Sequence, residues 1–221
     1  MPEPSRPPSE FPPGFPEGFF DRGDPTDDAD FYSLPRFVTH IDAGAIAAVG
    51  GFYEELGING HVLDLMSSWV SHFTTPPAHL TALGMNAAEL AANPHASERI
   101  THDLNRDPIL PFVDGSFDDA TCCVSVDYLV RPVEVFREVA RVLRPGGRFV
   151  CTFSNRLFPT KAIRGWLATD DATHQQIVAR YFALAGGFDD PVLRRCTTAE
   201  HRGDPLFAVW AMRSGARSSD A

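Results

Sequence analysis

The chain has 221 residues, 43% of them hydrophobic and 22% charged, which is the composition of one ordinary globular domain with a sizeable core rather than of two full domains. Its formal net charge of −10 argues against a general nucleic-acid binder, because phosphate contacts need a cationic surface. No apolar run approaches the roughly 18 residues of a membrane span, and the N-terminus lacks the charged and apolar succession of a secretion signal, so a cytoplasmic protein without nucleic-acid or membrane partners is expected.

Residues 1–30 hold eight acidic residues against Arg6 and Arg22, so the acidity is concentrated there. This stretch is Pro-rich without a sustained apolar period and is expected to be a disordered or loosely docked tail, with Phe11, Phe15, Phe19 and Phe20 able to pin part of it. A single domain is expected over 31–213 and a flexible C-terminus over 214–221. The segment Phe31-Tyr-Ser-Leu-Pro-Arg-Phe37 is too apolar for a free linker and is expected to cover something. The cysteines Cys122, Cys123, Cys151 and Cys196 form no C-x-x-C pair, which favours buried thiols in a reducing compartment over a zinc site.

Ile41, Ala45, Ala48, Phe52 and Leu56 recur at helical spacing before Gly57, predicting an amphipathic helix closed by a glycine. Val62–Leu65 reads as a buried parallel strand with Asp64 as its one charge, running into a turn. Further strands are expected at His79–Leu83, at Ile100–Leu104, where Asp103 marks the end, at Ala120–Val126 and at Arg148–Phe153. Asn86 is expected to cap a short helix, Asp114-Gly115 to turn, and Pro132 to start a helix that Arg144-Pro-Gly-Gly147 ends. Helical stretches at Lys161–Leu167 and Ala172–Ala185 precede two final strands near Val192–Cys196 and Leu206–Met212. Strand and helix alternate, so the fold class is α/β, a Rossmann-like, doubly wound, mostly parallel sheet with a C-terminal antiparallel hairpin.

Asp114-Gly-Ser-Phe-Asp118, the apolar strand after it and Glu138-Val-Ala-Arg-Val-Leu-Arg-Pro-Gly-Gly147 closely resemble the middle of the class I S-adenosylmethionine-dependent methyltransferases. The resemblance runs from about Val62 to Phe153, and Leu110-Pro-Phe112 is similar to the small-molecule branch of that family. It implies S-adenosylmethionine as cofactor and a small organic methyl acceptor. Asp64 stands in the family's acidic place at the end of the first strand, whereas Met66, Ser68 and Val70 stand where glycines normally allow close approach to the cofactor. Gly84 falls where the family normally has a ribose-binding carboxylate, with Asn86 or Glu89 nearby as substitutes. Asp103 matches the carboxylate that accepts from the adenine amino group, with the Leu104 amide beside it; a loop-capping role for Asp103 is the plainer alternative.

Ligands in such sheets bind outside the carboxyl ends of the strands, which here selects Met66–Ser71, Gly84–Asn86, Asp103–Leu104, Ser125–Tyr128 and Ser154–Arg156. The expected cofactor-binding set is Asp64, Met66, Ser67, Ser68, Trp69, Gly84, Met85, Asn86, Asp103, Leu104 and Ser125, with no metal. Methyl transfer demands alignment more than acid–base help, yet Tyr128, Asp127 and His72 are the candidates for orienting or deprotonating an acceptor, with His40 near them. Each has a plainer alternative: Tyr128 as an aromatic plug, His72 as a helix cap, and His40 as a surface residue. Trp69 either stacks on a ligand cation or fills the cavity. A noncatalytic methyltransferase-like domain binding another ligand or a protein partner is the competing reading, and the lack of G-x-G-x-x-G argues against a dehydrogenase.

Overall fold

The computed structural model describes residues 14–198 and 200–215. Phe11 and the end of the C-terminal segment lie outside them. Five strands form a parallel core: β1 (His61–Leu65), β2 (His79–Gly84), β3 (Glu98–Thr101), β4 (Phe117–Cys123) and β5 (Leu143–Phe153). The last two, β6 (Val192–Arg195) and β7 (Phe207–Met212), add an antiparallel pair, and the sheet order is β3-β2-β1-β4-β5-β7-β6. The order reverses between β1 and β4, and a crevice outside the carboxyl ends of these strands is where such folds hold ligands.

The two-residue period of the strands divides the core. Leu63, Leu65, Phe149, Cys151 and Phe153 point to one face, beneath α4 (Pro132–Val142) and α6 (Asp171–Ala185). Val62, Leu80 and Val150 point to the other, where α2 (Ala43–Glu55) buries Val49, Phe52 and Tyr53. Each main helix has a chemical start signal. Asp42 accepts from Ala45 N to cap α2, Asp170 accepts from Thr173 N to cap α6, and a proline opens α4.

Strand and helix do not alternate throughout as expected. Residues 66–78, between β1 and β2, and 102–116, between β3 and β4, contain no helix. Thr74-Thr-Pro-Pro77 explains the first gap, since consecutive prolines remove donors and push the preceding residue out of helical conformation. The third strand stops at Thr101 rather than reaching Asp103, whose Oδ1 accepts from Asn105 N at 2.9 Å and turns the chain. The fourth ends at Cys123 instead of Val126. Val124 takes a left-handed φ of 45° and Val126–Tyr128 forms a single 3₁₀ turn. The predicted helix from Lys161 shrinks to α5 (Arg164–Leu167).

Residues 14–30, grouped by composition with a loose tail, lie against the domain. Phe20 is buried, Phe15 and Phe20 pack on Tyr181, and Gly165 N donates to Phe19 O at 2.9 Å. Lys161, completely buried, donates to Thr26 O at 2.8 Å and lies 3.2 Å from Asp28, which also pairs with Arg22 at 2.7 Å. Aromatic burial and a desolvated ion cluster outweigh the polar, Pro-rich composition of the segment. The chain then forms α1 (Asp28–Phe31) and runs across the carboxyl ends of the strands.

Candidate functional site

A cavity of about 490 Å³ opens at the carboxyl ends of β1, β2 and β4, a size typical of small-molecule sites. Its floor is the strand-end set expected from the sequence: Asp64, Met66, Ser67, Ser68, Trp69, Gly84, Met85, Asn86, Asp103, Leu104, Ser125, His72 and Tyr128 all line it. Asp127 does not. The 3₁₀ turn presents Tyr128 to the cavity and buries Asp127 behind it, where its Oδ2 finds no partner among the described residues and burial pushes the carboxyl up to about 8. His40 and Arg156 also line the cavity, whereas Ser154 and Asn155 do not.

The turn after β1 holds two non-glycine residues in a backbone conformation that favours glycine. Met66 and His72 both hold φ at 53°, a left-handed conformation that glycine adopts without strain and other residues adopt at a cost. Asp64 anchors the turn from below. Its carboxylate accepts from Ser67 Oγ at 2.7 Å and from Thr121 Oγ1 at 2.8 Å. Burial raises its pKa, and these hydroxyls oppose the rise. Ser67 N donates to Leu83 O at 2.8 Å, drawing the turn onto β2 so closely that the Ser67 carbonyl occupies the space a Cβ at Gly84 would need.

Both proposed substitutes for a ribose carboxylate have structural employment. Asn86 Oδ1 caps α3 (Ala87–Ala92) and its Nδ2 donates to Tyr32 O at 2.9 Å. Glu89 accepts from Ser68 Oγ at 2.8 Å and from Arg36 N at 2.6 Å, tying the β1 turn to the covering segment. Trp69 neither fills the cavity nor stands free. It meets Phe37 edge-to-face at 6.4 Å, and its Nε1 donates to Val38 O at 3.2 Å. Ser125 Oγ turns back to Cys123 O at 2.9 Å.

The Asp103–Leu104 edge is different. Asp103 caps the following turn through Oδ1 alone, by Asn105 N at 2.9 Å and Arg106 N at 3.2 Å, which leaves Oδ2 without a protein donor among the described residues. The buried Leu104 has no acceptor for its N–H among the described residues. A carboxylate acceptor beside an amide donor, both in a cavity wall, complements the amino group and ring nitrogen at one edge of adenine. The Asp103–Leu104 edge therefore fits an adenine, while Gly84 offers no side chain to a ribose.

The opposite wall is a second contribution that sequence reading located only as a covering segment. Tyr32, Arg36 and the run Val38–Asp42 face the strand ends, and Asp42 and Asp204 exchange backbone-to-carboxylate hydrogen bonds of 2.9 and 2.7 Å that close the rim. Phe158, beyond β5, completes an aromatic side with Tyr128, whose hydroxyl accepts from Phe158 N at 2.8 Å. His72 is driven down to about 4 by burial and by neighbouring His40, and is neutral through the physiological range. Burial also lowers His40.

Residues 59–151 match the family described as a methyltransferase domain. The ubiquinone/menaquinone biosynthesis C-methyltransferase UbiE of Methylobacterium nodulans is 37% identical over 81 residues, covering 34% of this chain and 32% of that protein. Methyltransferase GfsG of Streptomyces halstedii is 34% identical over 108 residues, covering 43% of this chain and 39% of its own length. The chain thus spans well under half of these relatives. The crystal structure of an S-adenosylmethionine-dependent methyltransferase from Mesorhizobium loti shares the fold, with a TM-score of 0.53 at 19% identity over 76% of this chain and 98% of that one. The match over residues 59–151 and the shared fold make the chain similar to class I S-adenosylmethionine-dependent methyltransferases, whose cofactor is S-adenosylmethionine.

Proposed function

We propose that this chain binds S-adenosylmethionine in the strand-end cavity and methylates a small organic molecule. The observation that carries the reading is the Asp103–Leu104 edge: both residues line a cavity of suitable size, and one carboxylate oxygen and one amide there have no protein partner among the described residues. Bound there, the cofactor would supply an electrophilic methyl group carried on a sulfonium sulfur.

The chain's own contribution is positioning. Asp103 and Leu104 would hold the adenine edge, and Met66–Trp69, which line the same cavity, would hold the methionine end. Tyr128 orients the acceptor: its oxygen is committed to Phe158 N, so its proton is free to donate. Neutral His72 offers a hydrogen-bond acceptor on the same side. The segment Tyr32–Asp42 excludes water, which an in-line displacement needs more than acid–base chemistry. The enclosed aromatic wall suits a small acceptor better than a polymer. A cytoplasmic setting agrees with four unpaired thiols and with the lack, among the described residues, of a helix long and apolar enough to cross a membrane.

The blocked Gly84 position favours one alternative, a methyltransferase-like domain that holds another ligand. Calorimetric titration with S-adenosylmethionine and S-adenosylhomocysteine separates the two. Saturable binding to the folded protein is expected, and its absence at millimolar ligand would refute the proposal.

A further inference from the structure

Arg36 is the one cavity-lining cation whose charge the protein leaves unanswered among the described residues. The other, Arg156, pairs with Asp204 at 2.8 Å. Lys161 and Arg22, beneath the same covering segment, share Asp28. Among the described residues the Arg36 guanidinium has no carboxylate oxygen within ion-pair distance; Nη2 donates to Phe31 O at 2.8 Å, and Nη1 is buried without an acceptor. A buried donor left unmade is costly and rare in folded proteins, and a cation withdrawn from water costs more.

The group is also held in place. Its Cζ lies 4.5 Å from the Phe31 ring centroid and 5.7 Å from those of Tyr32 and Phe158. Three aromatic faces stabilise the charge without using its in-plane donors, of which Phe31 O takes only one, and a guanidinium that lines a cavity without a counter-ion suits a planar anion. Phe158 continues the surface toward the site: its ring meets Tyr128 at 5.9 Å with an interplanar angle of 33°, and His40 at 5.1 Å. Arg36 therefore sits where an aromatic wall begins. Tyr128 follows β4 and Phe158 follows β5, so this wall is built from the residues after those two strands. The cavity acids Asp28, Asp42, Asp64, Glu89, Asp103 and Asp204 disfavour a highly charged anion.

We propose that the methyl acceptor is a planar organic acid, its carboxylate on the Arg36 guanidinium and its flat body against Phe158 and Tyr128. The inference rests on the methyltransferase reading for the word acceptor, but the carboxylate site itself does not need it.

Benzoate and its neutral isostere benzamide serve as probes, titrated against the full chain with and without saturating S-adenosylhomocysteine and followed by ligand-observed NMR. Benzoate should bind at least ten-fold more tightly than benzamide. Arg36→Met should abolish that preference and Arg36→Lys should keep part of it, while S-adenosylhomocysteine affinity stays within two-fold of wild type in both. Equal binding of the two probes by the wild-type protein would overturn the proposal without reference to any variant. So would a loss of S-adenosylhomocysteine affinity in Arg36→Met matching the loss of benzoate, since Arg36 would then hold the carboxylate of the cofactor. Failure of S-adenosylhomocysteine to bind the wild type strikes at the methyltransferase reading instead, and the benzoate preference measured without it still decides the carboxylate site.

Discussion

The main-chain carbonyl of Ser67 fills the space that any side chain at Gly84 would require. This contact links the two departures from the family pattern at the site. A turn built from Met66, Ser67 and Ser68 leans onto β2 through the hydrogen bond from Ser67 N to Leu83 O, and a residue without a Cβ is then needed opposite it. The glycine-poor turn and the glycine at the end of β2 are linked by this one contact.

Restoring the carboxylate alone should consequently fail. Gly84→Asp is expected to lower stability by about 1–3 kcal/mol, the usual cost of overpacking a rigid site, without tightening S-adenosylhomocysteine binding. Chemical denaturation and calorimetry measure both. A stable variant with improved affinity would show that the Ser67 turn yields readily.

Asp103→Ala should weaken S-adenosylhomocysteine binding by about 1–3 kcal/mol, through loss of a partner for a buried ligand donor. The variant also loses the turn cap to Asn105 and Arg106, so Asp103→Asn provides the control: it can retain an Oδ1 cap while altering the ligand-facing atom. Unchanged affinity in both would remove Asp103 from the adenine contact.

Asp127 should govern part of the pH dependence of stability. Burial moves its carboxyl from the ordinary 3.8 up to about 8, so between those limits the folded protein keeps a proton that the unfolded chain has released. Stability from this group is fully present below 3.8 and is lost as pH rises through about 8. Asp127→Asn should therefore gain on wild type at pH 8 relative to pH 4 in urea unfolding. The comparison between variants isolates the effect, because His72, lowered to about 4, contributes stability that is lost in the opposite direction, as pH falls. A wild-type-to-Asn difference that does not change with pH would contradict the assignment.

Lys161→Met should release the N-terminal strap. Removing one member of a buried ion cluster costs about 3–5 kcal/mol, and Arg22 still answers Asp28, so the lower end is expected. Limited proteolysis should cut within residues 14–30 faster than in wild type. Equal protection would mean that packing of Phe15, Phe19 and Phe20 around Tyr181 suffices.

The sequence by itself determined the strands, the capped helices and the sheet that joins them, because apolar period, proline, glycine and capping side chains act over a few residues. The Asn86 cap, the Pro132 start and the buried run around Ala120–Cys122 are such local signals. It also located the cavity floor, since parallel strands deliver their following residues to one edge. Tertiary structure alone decided the opposite wall. Arg36 reaches Glu89 across 53 residues of chain, and Asp42 reaches Asp204 across 162, separations over which no periodicity carries information. Likewise, Asp127 and Tyr128 are neighbours in sequence, yet only the 3₁₀ turn after Val124 sends one into the core and the other into the cavity.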